Sequence, residues 1–271
     1  MFLIGVDYSA QEGNVGLAGG RLNGDSLKIE FAECPGTRAE VEKKIVSRIN
    51  AEKKNGGGVL ISIDAPLGWP KSLSRALCWH KAGRAFSTPA DQLFKRATDW
   101  WVRDKIKQKP LEIGADWIAR TAYSALSFLL RLRNETGCAI PLAWEPGRVK
   151  GVSVIEVYPA ATLKGLNISS ADCRGKEGAE RQKCIADWRE DVINRLGVNG
   201  VWLSEDVVKN RSVLENDHVF DAVLCVQAAV DFAKGCVVSP YEAEVDGAKV
   251  STKRAKKEGW IWVNWLIRVD E

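Results

Sequence analysis

Short apolar runs separated by turn-forming residues open the chain. Phe2 to Tyr8, Val15 to Arg21 and Leu27 to Cys34 are such runs, parted by Gly13 and Asn14 and then by Asn23, Gly24 and Asp25. Runs of this length between such breakers predict three strands in an antiparallel meander. After Pro35 and Gly36, Thr37 with Glu40 three residues on forms a capping box, in which each side chain takes up the other residue's free amide. It predicts a helix through about Lys54, with Val41, Ile45, Val46 and Ile49 at the helical period. Gly56, Gly57 and Gly58 stop it. Val59 to Ile63 is then an apolar run rich in β-branched residues, as expected of a strand buried on both faces, and it ends in Asp64.

From Trp69 to about Lys150 the period changes. Pro89 to about Lys107 and Ala115 to about Arg133 predict two helices of an insertion carried on the core. The sheet resumes with Val152 to Val157. A polar segment, Ser169 to Gln182, predicts an exposed loop entering a helix from Cys184 to Leu196, and a strong helix starts near Glu215 or Asn216 and ends at Gly235. Gly259 to Val269 predicts a last strand with Trp260, Trp262 and Asn264 on one face and Ile261, Val263 and Trp265 on the other. The expected architecture is one α/β domain over residues 1–271, with a helical insertion at 69–150. Its mixed sheet is a three-stranded antiparallel meander followed by parallel strands, with helices on both faces. Three hairpin strands, a crossover helix and a buried parallel strand make the first half of a ribonuclease H-like sheet.

With 271 residues, 45% of them hydrophobic, the chain is large enough to bury its own core. A formal net charge of +4 tolerates a polyanionic partner without demanding one. The charge is uneven, however. Lys249, Lys253, Arg254, Lys256 and Lys257 form one basic run, and Lys95, Arg96, Arg103, Lys105, Lys107 and Lys109 another; alone, each run reads most simply as solvated surface. The seven cysteines include no C-x-x-C pair and are expected to be reduced thiols filling small apolar spaces. No segment reaches the roughly 20 uninterrupted apolar residues of a membrane span. Met1 to Ala10 carries Asp7 and lacks the basic leader of a signal peptide, so a cytoplasmic location is expected.

Candidate chemistry lies in the carboxylates. Asp7 ends the first strand and Asp64 ends the buried one, so both fall at the carboxyl edge of the sheet, where α/β proteins bind ligands. Asp217 and Asp221, four residues apart, project from one helix face with His218 beside them. Like charges at that spacing repel, so something must compensate. Asp217 can serve the helix N-terminus through its dipole; Asp221, deeper among apolar neighbours, has no such explanation. Glu156, at the end of another strand, completes the cluster or pairs with an arginine. His80 and His218 are the only histidines, too few for a zinc site, and His218 is the better functional candidate.

These segments, in order, resemble a known family. Gly5-Val6-Asp7, Ile63 through Gly68, Arg96-Ala97-Thr98-Asp99 with Arg103, Glu156-Val157-Tyr158-Pro159, Asp217 through Ala222, and Glu258 through Ile261 are similar to the predicted RNase H-like nuclease family, also known as domain of unknown function 429. The His218-to-Ala222 piece also resembles the last acidic motif of Holliday-junction resolvases. The resemblance implies a ribonuclease H-like fold and a nuclease acting on DNA or RNA. Asp7, Asp64 and Asp221 would hold two Mg²⁺ or Mn²⁺ ions, supported by Glu156, Asp217 and His218, and hard cations suit such oxygen ligands. Arg96, Asp99, Arg103 and Tyr158 would contact substrate. The alternative for the arginines is an intrahelical Asp99–Arg103 pair. The tryptophan-rich insertion departs from what a nuclease of this fold needs. Two rival functions are an actin-like phosphotransferase, against which Gly19 and Gly20 fall within a strand rather than a phosphate loop, and a catalytically silent binding module.

Overall fold

Alternation along the first strands decides which residues meet which layer of helices. In the computed structural model, which describes residues 1–114 and 116–264, strand β1 (Phe2–Asp7) pairs antiparallel with β2 (Gly16–Asn23), and β2 with β3 (Ser26–Glu33). Helix α1 (Arg38–Lys54) opens on the Thr37–Glu40 capping box and crosses to β4 (Val59–Asp64), which runs parallel to β1. Then come α2 (Lys71–Cys78), α3 (Ala90–Phe94), α4 (Ala97–Trp101), a π-helical turn at Val102–Ile106 and α5 (Asp116–Thr136). β5 (Val152–Glu156) pairs parallel with β4 and is followed by α6 (Pro159–Gly165) and α7 (Gly178–Val198). β6 (Val201–Leu203) joins the far edge, parallel to β3, before α8 (Glu205–Asn210), α9 (Ser212–Glu215) and α10 (Asp217–Lys234). A small ribbon, β7 (Glu244–Val245) with β8 (Ala248–Lys249), precedes α11 (Thr252–Glu258).

The sheet order is β5-β4-β1-β2-β3-β6. Phe2, Ile4 and Val6 of β1 and Val59, Ile61 and Ile63 of β4 face α1 and α5, where Ile45, Ile49, Phe128 and Leu132 cover them. The alternate residues Leu3 and Leu60 face α10, packed with Ala222, Val223 and Val226. Because side chains alternate with period two, Asp7 and Asp64 leave on the α10 side. Gly5 makes the close approach possible: a Cβ there would collide with the Ala222 carbonyl, and one at Gly16 with the His218 carbonyl. Ser62, fully buried, fastens the layers by donating toward the Ile4 carbonyl at 3.1 Å and the Cys225 carbonyl at 2.7 Å.

Several expectations are corrected. Residues 89–107 are not one helix, because Lys95 and Arg96 are extended (ψ 134° and 165°) and the Asp99 carboxylate accepts from the Arg96 amide at 2.8 Å, starting a new helix. Lys107, left-handed at φ 61°, ends the π-helical turn. Within 69–150, Ala97, Trp101, Val102 and Ile106 belong to the same core cluster as α10, while Ala125, Phe128 and Leu129 join the cluster of α1. Cys173 and Cys184 are joined in a disulfide, their Cα atoms 6.1 Å apart, rather than being free thiols. A separation of 11 residues carried no motif to announce it. In place of a final strand, the chain up to residue 264 makes isolated bridges, Ile261 to Glu156 and Asn264 to Val237, and Trp260, Ile261, Trp262 and Val263 are all buried. The rest of that predicted strand, Trp265 included, lies outside the described residues. β6, only three residues long, was not foreseen.

Candidate functional site

Asp7 and Asp64 are register partners at the ends of the parallel pair β1–β4, so their carboxylates emerge side by side. α10 lies across them. Asn216 caps its start, accepting from the Val219 amide at 3.2 Å, which aims His218 and Asp221 at the strand ends. His218 Nδ1 stands 2.6 Å from Asp7 Oδ2. Asp7, Asp64 and His218 border a cleft of about 320 Å³ whose other walls include Tyr8, Pro66, Leu111, Ile118 and Tyr158, and Asp221 lies behind them. Leu111 and Ile118 come from the stretch around the start of α5, which roofs the acids.

Electrostatics make the cluster costly as it stands. Burial raises the Asp64 carboxyl well above the usual carboxylate range, and Asp7, Asp221 and Glu156 push the same way. Burial and then Asp7 raise Asp221 to about 7, against the pull of Arg189 and His218. The hydrogen bond to Asp7 raises His218, favouring the imidazolium, despite partial burial. Asp64 and Asp221 have no ion-pair partner among the described residues, whereas most carboxylates around them do. Beneath them Cys225, its thiol raised by burial, donates weakly to the Val6 carbonyl at 3.6 Å and is neutral filler.

The remaining predicted residues sit at the wall of this cleft or outside it. Glu156 is the register partner of Ile63 rather than Asp64, so it leaves its strand on the opposite side. There it meets Arg96 at 2.8 and 2.9 Å and accepts from the Leu67 amide at 2.9 Å. Arg96 is 2% exposed, and although burial opposes its charge, Asp99 and Glu156 hold its guanidinium above its ordinary value. It also donates to the Glu258 carbonyl at 3.2 Å. So Arg96 and Asp99 form a buried structural knot at the cleft wall, with the guanidinium already committed to Asp99 and Glu156. Arg103, past the helix break, does not share a stripe with Arg96; it pairs with Asp104 and covers the Trp100 ring at 4.2 Å. The expected Asp99–Arg103 pair is likewise absent among the described contacts, since Asp99 is taken by Arg96. Asp217 is exposed and salt-bridged to Arg189, away from the acid pair. Tyr158 lines the cleft and donates to the Lys109 carbonyl at 3.5 Å, which braces the loop above.

Among the described residues, no three His, Cys, Asp or Glu side chains are drawn together closely enough to hold a metal ion as they lie. Sequence reasoning missed Arg189, whose charge reaches Asp221, and Tyr8, whose hydroxyl lies 2.8 Å from that of Ser124 and ties β1 to α5. Neither carried a signal: an arginine on an amphipathic helix and a tyrosine after a strand are ordinary. A family model described as a protein of unknown function, DUF429, matches residues 5–245. The chain belongs to the DUF429 family. The match spans the acidic cluster of this DUF429 protein from Asp7 to Asp221. No curated protein matches it.

Proposed function

We propose that this DUF429 protein is a ribonuclease H-like, metal-dependent phosphodiesterase acting on DNA or RNA, with Asp7, Asp64 and Asp221 as its ligand set. The observation that carries the reading is that the strand-end carboxylates Asp7 and Asp64 share one cleft with Asp221 of α10 close enough behind them to raise the proton affinity of Asp64 and to have its own raised by Asp7, while among the described residues neither Asp64 nor Asp221 has a salt-bridging cation. The strand order β3-β2-β1-β4-β5, antiparallel then parallel, supports the fold. The donor set fits a hard divalent ion. Three carboxylate oxygens suit Mg²⁺ or Mn²⁺, and a bound cation would relieve the burial and mutual repulsion that now hold Asp64 and Asp221 protonated above their usual range. When bound, such ions supply water activation and neutralise charge growing on the phosphate.

The chain's own side chains do the rest. Asp7 orients His218, whose Nδ1–H it accepts, so the imidazole is held at the cleft where it can carry a proton. Tyr8, Pro66, Leu111 and Ile118 give one largely apolar wall of the cleft, which lowers the local dielectric beside the acids. Arg96 and Glu156 fix the Asp64-to-Leu67 turn through the Leu67 amide, so they position rather than react.

The test is hydrolysis of labelled single-stranded, duplex and branched oligonucleotides in Mn²⁺ or Mg²⁺. Cleavage by the wild type should fall at least about a thousandfold in Asp7→Asn and Asp64→Asn, a loss of ~4 kcal/mol of transition-state stabilisation. Asp217→Asn should keep most of it. Equal cleavage by the Asp7 and Asp64 variants, or none of any substrate by the wild type, would sink the reading.

A further inference from the structure

A basic face flanks the acid cleft. Between Asp64 and Asp91 the chain carries Lys71, Arg75, Lys81 and Arg84 and no carboxylate. In α11, Lys253, Lys256 and Lys257 share one exposed side, while Ala255 and Glu258 face inward. α2 and α11 are tied together, since the Lys71 amide donates to buried Glu258 Oε1 at 2.9 Å. None of those seven cations has an ion pair among the described residues, whereas nearby Lys95, Arg96, Arg103 and Arg254 each hold a carboxylate. Unpaired positive charge is therefore concentrated on this side.

Aromatic surface accompanies the charge. α2 buries none of its residues, and Trp79, directly after it, is 88% exposed. Phe86 is half exposed and stacked on His80, ring centroids 4.3 Å apart. Solvated lysines alone would explain the charge but not the bare indole beside it. Between α2 and α11 runs an open trough of about 770 Å³, lined by Lys71, Arg75, Trp100 and Arg254 and also by three carboxylates, of which Asp91 is paired with Lys95 and Glu258 with Arg254, while Asp246 is the third. The concave shape fits an extended chain better than a flat lipid surface, and the unpaired cations Lys71 and Arg75 line it. Both helices also lead into the cleft walls: Pro66 precedes α2 and Ile261 follows α11, and both line the cleft.

We propose that the α2–α11 face binds single-stranded nucleic acid, its phosphates on Lys71, Arg75 and the α11 lysines and its bases on Trp79 and Phe86, and guides the strand to the acids. Stacking on exposed rings together with a basic track is how single strands are held without sequence preference, and a duplex offers no open base faces. That the strand is then cut rests on the function proposed above; the binding does not.

Fluorescence anisotropy of a labelled oligonucleotide of about 20 residues, titrated in EDTA at several salt concentrations, tests the face without hydrolysis. Each phosphate contact to a single strand contributes about 0.7 to the logarithmic salt slope. The triple variant Lys253→Glu, Lys256→Glu, Lys257→Glu should thus lower the slope by about 2 and weaken binding at least about tenfold. Trp79→Ala should weaken it about fivefold with the slope unchanged. Lys43→Glu, on α1, should leave binding alone. Wild-type affinity and slope in the triple variant would overturn the proposal, as would duplex bound as tightly as single strand, or binding to phosphatidylserine vesicles with none to oligonucleotide. A strand bound but never cut keeps this face and removes the hydrolase; cutting at the full rate by the triple variant does the reverse.

Discussion

Asp231 is a buried carboxyl whose titration should mark the protein's stability. It sits at the far end of α10, 5% exposed, with Oδ1 accepting from Gln227 at 2.9 Å and Oδ2 without a hydrogen bond among the described residues. Burial raises it to about 7 from an ordinary 3.8, against the pull of Asn264, Gln227 and Lys234. The folded state therefore holds this proton more tightly than the unfolded one, so stability falls as pH rises from about 4 and levels off above about 7. The gap corresponds to a penalty on the order of 4 kcal/mol at neutral pH. Asp231→Asn should remove that slope. Urea titrations between pH 4 and 8 would show the variant gaining on the wild type as pH increases; parallel curves would refute the assignment.

At the scale of elements, the seat of α10 on β1 depends on Gly5. A methyl group there meets the Ala222 carbonyl, part of a packed helix backbone that has no free rotamer to yield. Gly5→Ala should cost about 1–3 kcal/mol, the usual range for overpacking. It should also displace His218 and Asp221 from Asp7, so cleavage would suffer more than a drop in melting temperature predicts. Calorimetry beside the hydrolysis assay separates the two; a variant with full activity and unchanged stability would show that α10 is not seated through Gly5. Much of this was legible in the sequence. The strand-end acids and the helix face holding Asp221 each follow from a local period. Glu156 was not, because the choice between cluster and arginine turns on one register step between β4 and β5. The break at Lys95–Arg96 was equally hidden, since it is enforced by Glu156 and Glu258 from far along the chain.

At the scale of the whole molecule, the acid cleft should couple ion binding to folding. A divalent ion that binds the folded state alone, present at a hundredfold its dissociation constant, adds about 2.7 kcal/mol. For a chain of this size that is a rise of about 5–10 °C in melting temperature. Mn²⁺ should produce it in the wild type and not in Asp7→Asn or Asp64→Asn, and a thermal-shift titration reads it directly. Equal shifts in all three proteins would place the ion elsewhere. The described residues include no helix long and apolar enough to cross a membrane. The general α/β plan was readable because apolar periods repeat within each element. The disulfide Cys173–Cys184 and the sixth strand were not, the first lacking a spacing motif and the second being too short to show one.

The Arg96 knot also sets an order of events during synthesis. Arg96 closes on Glu156, 60 residues later, and on the Glu258 carbonyl, 162 residues later. Until Glu258 has left the ribosome, Arg96 and the amides of Lys71 and Ala97 lack the partner that fixes α4 beside the cleft. A chain made only as far as Glu156 therefore carries its strand-end acids without the full wall, which closes once Glu258 has been added.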